Sequence, residues 1–203
     1  MKLLGTMISP FVRMALMTAH EVGLADKVAL VESGSVSPIA PHVEISRHNP
    51  LGKIPCLVTD HGHPLYDSRV ICEYLCHHAG NKTLLPDEPV RRFRILTLQA
   101  LAIGMADAAV AWRYEVVARP VEFRWSEWAE RQIERIVASL DDLESHWKSE
   151  LGSITAGTVA CAAVLGYIDF RLADIGFRNG RPALAAFFDR FSARPSMAAT
   201  KLQ

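Results

Sequence analysis

The hydrophobic rhythm of the chain changes after about eighty residues. Lys2 to Thr6 is a short apolar run that ends in a loop, and from Pro10 to about Val22 the apolar residues Phe11, Met14, Ala15, Met17 and Val22 return at helical spacing. This reads as strand, turn, helix. "DKVALVES", Asp26 to Ser33, predicts a second strand with Val28, Leu30 and Glu32 on one face and Lys27, Ala29 and Val31 on the other. A looser segment rich in Ser, Pro and His follows and closes at "NPLGKIP", Asn49 to Pro55. "CLVTD" and "HPLYD" are β-prone runs joined by "HG", where Gly62 suits the positive φ of a hairpin turn, with solvated His61 and His63 on either side. In "RVICEYLCHHAG", Val70, Ile71, Tyr74 and Leu75 mark one helical face and Gly80 a stop.

Strand signals end at "NKTLLPDEP", whose two prolines and polar residues mark a linker. Helical patterns then run over about Val90 to Val117, Ser126 to Lys148 and Thr155 to Ala173, with a shorter one near Ala183 to Phe191. The predicted architecture is α/β plus all-α: a βαβ-ββα domain over residues 1–79, a linker over 80–89 and an all-helical domain over 90–203.

Composition narrows the function classes. The 203 residues are 50% hydrophobic, enough for a sizeable core, and Lys plus Arg equals Asp plus Glu at 22 each. With no basic block, the electrostatic footprint of a nucleic-acid binder is missing. Cys56, Cys72, Cys76 and Cys161 show no CxxC spacing, which suits free thiols in a reducing compartment. Pro10 and Arg13 interrupt any signal-peptide core, and no run of about 18 uncharged apolar residues predicts a membrane span. The expectation is a soluble cytoplasmic protein without membrane partners.

Three short motifs could carry chemistry. In "SPFVR", Ser9 precedes a proline at the first helical position, the arrangement of an N-cap. The same place favours an anion, so a hydroxyl there could also donate to a thiolate. In "NPLGKIP", the Ile54-Pro55 bond is trans by base rate, whereas a cis bond would turn the backbone groups of Ile54 outward to pair with a peptide ligand. In "YDSR", Ser68 can cap a helix with Asp67 against its positive end, or the pair could hold the carboxylate and ammonium of an α-amino acid. Cys72, Cys76 and His77 lie close on one helix, but a closed zinc site takes four ligands and cysteine is commonly buried, so core packing is the reading and no metal is expected. Arg91, Arg92 and Arg94 read as a solvated face or an intersubunit contact.

Together, in this order and on this topology, the motifs resemble the glutathione S-transferases: "SPFVR" after the first strand, "NPLGKIP" before the third, "LYDS" opening a helix, then helices to a closing "RPALAAFFDRFSARPSM". The resemblance spans the chain. It implies a thioredoxin-like N-terminal domain, a cis bond before Pro55, glutathione as co-substrate and a homodimer. It implies that Ile54 and Pro55 meet the cysteinyl part of glutathione, that Asp67 and Ser68 hold the γ-glutamyl end, and that Lys53 approaches the glycyl carboxylate. Ser9 matches the catalytic serine of the tau-like pattern, where the omega-like "CPF" has cysteine, and Phe11 follows it in the same motif. Serine cannot form a mixed disulfide, so conjugation or peroxide reduction is implied over thiol transfer. The electrophile, mostly apolar, is expected between the domains, near the loop from Ile8 to Val12 and near Met105, Trp112, Arg113 and Tyr114. Glutathione-dependent isomerase or dehalogenase chemistry would use the same first subsite. The rival implication is an interaction module similar to the stringent starvation proteins. One departure from the family pattern is "ITAGTVA", where Thr158 stands at the usual capping-box aspartate, so a weaker cap at Thr155 is expected.

Overall fold

The computed structural model describes residues 1–34 and 36–202. The first part runs β1 (Lys2–Gly5), α1 (Pro10–Glu21), β2 (Ala29–Glu32), α2 (Val43–His48), β3 (Cys56–Val58), β4 (Pro64–Leu65) and α3 (Ser68–His78). The rest is helical: α4 (Pro89–Arg113), α5 (Ser126–Ser145), α6 (Ala156–Arg171), α7 (Pro182–Ser192) and α8 (Pro195–Ala199).

The four strands lie in the order β2-β1-β3-β4, with β1 parallel to β2 and antiparallel to β3, and β3 antiparallel to β4. Leu3 pairs with Leu57, and both join Val12, Ala15, Ile71 and Leu75 in the core beneath α1 and α3. Leu4 and Cys56, the next pair, point to the opposite face by the alternation of the pleat. Gly5 ends β1 because a Cβ there would stand 2.4 Å from Cγ2 of the fully buried Val12. That close approach seats α1 on the sheet.

Several expected elements shift. The second strand is confined to Ala29–Glu32 because a 3₁₀ turn over Ala25–Lys27 takes its start. The segment read as loop contains α2, capped by the His42 ring, whose Nδ1 accepts from the Ile45 N–H at 3.3 Å. Val70 does not belong to the buried face of α3: it is 46% exposed, and Ile71, Cys72, Leu75 and Cys76 make that face instead. Ser68 is not the cap of α3; Asp67 is, accepting from the Arg69 N–H at 3.0 Å. The cap of α6 is also stronger than expected. Thr155 Oγ1 accepts from the Thr158 N–H at 3.2 Å, and Thr158 Oγ1 accepts from the Thr155 N–H at 2.8 Å, a complete reciprocal box.

From Ala156 to Ile168 every residue of α6 is buried, as expected of a helix that is apolar all round. It lies between α1 and α4, the helix that continues into a π turn over Tyr114–Ala118. By length and hydropathy α4 could cross a membrane, but it packs against α5 and α6. The two parts are joined through α1. Met14 and Met17 enter the helical core, Arg13 Nη1 lies 2.2 Å from where a Gly166 Cβ would be, and Glu21 pairs with Arg194.

Candidate functional site

The pairing of strands brings the three motifs to one edge of the sheet. The loop holding Ser9 leaves the C-terminal end of β1, and Ile54-Pro55 enters β3 opposite that end, since Leu4 pairs with Cys56. Asp67 and Ser68 follow β4, whose Leu65 pairs with Leu57, so they emerge at the same edge. Residues up to 59 positions apart in sequence, Ser9 and Ser68, thus converge because β3 runs against both of its neighbours.

Each position has unused hydrogen-bonding capacity. Ser9 caps α1 with extended backbone, φ −69° and ψ 125°, and its Oγ accepts from the Val12 N–H at 3.4 Å. That bond uses a lone pair and leaves the hydroxyl proton to be donated outward. The Ile54-Pro55 peptide is cis, as the resemblance implies and against the base rate, and among the described residues the Ile54 N–H and C=O have no partner in the chain. Ser68 is the first residue of α3 and is buried, yet its hydroxyl likewise has no partner among the described residues. Asp67 stays exposed beside it, joined through a cis peptide to Tyr66. Lys53 is exposed and makes no ion pair among the described residues, while its carbonyl accepts from the Asn49 side chain at 2.8 Å, which holds the loop before Ile54.

The helical part supplies the opposite wall. Asp107 on α4 feels Lys53, Arg69 and Asp67 across the gap: it is open to water but crowded by the cleft walls, and this desolvation pushes its carboxyl up while Lys53 and Arg69 pull it down. Asp107 lies outside the sequence motifs, although an acid three residues after Gly104 in an otherwise apolar stripe is a visible signal. The four helical positions expected near the electrophile separate. Met105 is sealed in the helical core at 1% exposure, Trp112 and Arg113 are half-buried, and Tyr114 is exposed. Ile8, Phe11 and Trp112 pack on the rim of that same core. Cys72 and Cys76 lie in the core, with Cys72 accepting from the Thr18 hydroxyl at 3.3 Å, and His77 is exposed.

A recess of about 510 Å³ lies elsewhere. It runs behind α3 along Val70, Glu73, Tyr74, Asn81, Asp87 and Arg92, and Ser9, Ile54, Asp67 and Ser68 do not line it. Volume by itself does not mark a site, whereas convergent unpaired polar groups mark the sheet edge.

Comparison with known proteins identifies the family. Residues 8–78 match the family model described as glutathione S-transferase, N-terminal domain, and residues 126–190 match that of the C-terminal domain. The chain is 32% identical to a GST-like protein of Escherichia coli K12, YibF, over 99% of this chain and 98% of that protein. A glutathione transferase family member from Pseudomonas fluorescens Pf-5, solved with bound glutathione, is 40% identical, covers 100% of this chain and 98% of its own, and superposes with a TM-score of 0.96. A second structure from that organism, with bound S-(propanoic acid)-glutathione, is 40% identical over 100% of both chains at a TM-score of 0.91. A glutathione S-transferase from Methylobacillus flagellatus with bound glutathione is 30% identical over 100% of this chain and 99% of its own, at 0.87. With its thioredoxin-like N-terminal domain and helical C-terminal domain, this chain belongs to the glutathione S-transferase family.

Proposed function

We propose that the protein is a glutathione transferase that binds glutathione along the sheet edge and presents its thiol, as thiolate, to an electrophile between the two domains. The observation that carries this reading is the convergence of three unspent groups: the Ser9 hydroxyl proton, the Ile54 backbone and the Ser68 hydroxyl. An extended tripeptide adds to Ile54 as a strand adds to a sheet edge. Its γ-glutamyl carboxylate meets Ser68 and the N-terminus of α3, its ammonium meets Asp67, and its glycyl carboxylate meets Lys53. Phe11 and Pro55 border the cysteinyl sulfur. Glutathione in the Pseudomonas and Methylobacillus relatives supports the ligand, and an S-substituted glutathione in one of them supports room beyond the sulfur.

A free thiol with a pKa of about 8.5 is only a few per cent ionised at neutral pH. The N-terminus of α1 and a hydrogen bond from Ser9 both stabilise the anion, each unit of depression corresponding to about 1.4 kcal/mol. The thiolate then forms a sulfur–carbon bond with the electrophile, and the displaced electron pair leaves with a leaving group or moves into a conjugated acceptor. Ser9 remains a donor and is never acylated or alkylated. The protein works as a homodimer; exposed Val70, Val90 and Phe93 near the α3–α4 groove support a partner copy there, and light scattering tests the mass.

The deciding experiment is spectrophotometric titration of enzyme-bound glutathione in the wild type and in Ser9→Ala. The expected outcome is nearly unchanged glutathione affinity with the thiol pKa raised by about one unit or more, and conjugation slowed accordingly. An unchanged pKa removes Ser9 from the chemistry. No glutathione binding at millimolar ligand would favour the interaction-module reading instead.

A further inference from the structure

Arg113 is the last residue of α4 and Arg171 the last of α6, and among the described residues neither has a hydrogen-bond or ion-pair partner. Other arginines of the helical part do have partners: Arg178 pairs with Asp169, Arg181 with Asp141 and Arg194 with Glu21. The Arg171 guanidinium carbon lies 4.4 Å over the Phe170 ring, and its Nε is shut off from water with nothing to donate to. A sealed donor left unpaired is costly, so an acceptor that belongs to a ligand is the natural complement.

The two ends are neighbours. α4 and α6 meet where Gly157 approaches Ile95 and Leu98, and from there they rise for about 24 Å and about 21 Å to Arg113 and Arg171. Both arginines act electrostatically on the buried Tyr167, and Arg113 disfavours the charge on Arg171. Tyr167 directly follows Gly166, against which Arg13 of α1 packs, and Ser9 lies one helical turn before Arg13. Asp107 precedes Arg113 by under two turns of α4 and faces Lys53, Arg69 and Asp67, so the end of α4 that carries the arginine pair stands on the helical wall opposite the glutathione groups.

We propose that Arg113, Arg171 and Tyr167 form an anion subsite beside the glutathione sulfur, which holds the carboxylate of an α,β-unsaturated acid as the second substrate. The proposal rests on the glutathione reading above and replaces the expectation of a mostly apolar electrophile. The planar guanidinium forks match a carboxylate in a way a neutral apolar compound cannot use. They also answer a chemical difficulty: attack on an unsaturated carboxylate adds charge to a group already negative, and two fixed cations offset it. Sulfur bonds to the β carbon, the π pair moves toward the α carbon and carboxyl group, and the α carbon takes a proton from water in place of the one the thiol released. Nothing leaves.

Calorimetry with three ligands tests this: glutathione, S-(2-carboxyethyl)glutathione and its neutral amide S-(2-carbamoylethyl)glutathione. The wild type is expected to bind the acid about ten-fold more tightly than the amide, and Arg171→Gln or Arg113→Gln to bring that ratio close to one. A wild-type ratio near one, with glutathione itself bound, overturns the anion subsite and leaves the glutathione reading standing. A ratio that survives in both variants assigns the preference to other residues and also overturns it. Failure of the wild type to bind glutathione sinks both readings. The wild-type ratio decides even where a variant does not fold.

Discussion

Arg194 holds Glu21 through two parallel hydrogen bonds of 2.8 and 2.6 Å, and the Ser196 hydroxyl donates a third at 2.6 Å to the same carboxylate. This fork ties the "ARPS" turn before α8 to the C-terminal end of α1, the helix that Ser9 caps. Burial opposes the charge on Glu21, but Arg194 and Ser196 outweigh it and hold its carboxyl below the usual value of 4.5. A depressed carboxylate stabilises the fold above its unfolded pKa, and that contribution fades as pH falls through the lower folded value. Glu21→Gln is expected to cost about 2 kcal/mol at pH 7, between the worth of an exposed and a buried pair. Thermal melting of both proteins from pH 7 to pH 3 checks it: the gap should narrow as pH falls below about 4.5. A gap independent of pH would assign the loss to packing.

The reciprocal cap of α6 makes a second prediction. Thr158 is fully buried, accepts from the Thr155 N–H at 2.8 Å, and has both the Ser153 and Thr155 carbonyls within donor reach at 2.9 and 3.1 Å. An aspartate could accept the first of these bonds but could not donate the others when ionised. Thr158→Val keeps the shape and removes every side-chain bond, so it should cost about 1–3 kcal/mol. Urea unfolding with an unchanged m-value checks it. Equal stability would mean the box contributes nothing to this helix.

The four thiols are all buried, and burial pushes Cys72 and Cys161 up to about 12 and Cys76 to about 11, with Cys56 also raised. Thiolate reactivity therefore requires unfolding. Iodoacetamide at pH 8 is expected to label none of the four in the native protein and all four in denaturant, read by intact mass. Native labelling of a single cysteine would open a thiol-exchange route that serine at position 9 excludes.

What the sequence conveyed depended on how local each signal was. The three glutathione motifs were readable because each is a contiguous string whose residue types fix a turn or a cap. The strength of the box at Thr155 is not legible in the sequence because threonine is the poorer acceptor there, while the donor function of the Thr158 hydroxyl needs the fold to supply Ser153 O. α2 was invisible because six residues with a single buried side chain, Ile45, carry no period. Val70 reads as inward because a branched apolar residue beside Ile71 fits the helical pattern, yet the groove behind α3 leaves it open. Tyr167 and Arg171 had no signal beyond an arginine ending an apolar helix; their relation to Arg113 exists only once α4 and α6 lie side by side.

Two glycines test the close approach of those helices. A Cβ on Gly157 would stand 2.9 Å from the Ile95 carbonyl oxygen and 3.0 Å from Leu98, both fixed parts of α4. A Cβ on Gly104 would meet nothing within 4 Å, although Gly104 also lies within a helix. The same substitution should therefore act with opposite signs. Gly157→Ala forces α4 and α6 apart and is expected to destabilise by about 1–3 kcal/mol. Gly104→Ala meets no obstacle and gains helix propensity, so it should stabilise by about 0.5–1 kcal/mol. Scanning calorimetry of the pair checks both, and the sign contrast removes any general effect of alanine on the chain. Because the spacing of α4 and α6 also sets the distance between Arg113 and Arg171, Gly157→Ala should in addition weaken the preference for S-(2-carboxyethyl)glutathione over its amide, while Gly104→Ala should leave it intact. Stabilisation by Gly157→Ala would show that the helices have slack at this crossing, and the link between their packing and the arginine pair would fail with it.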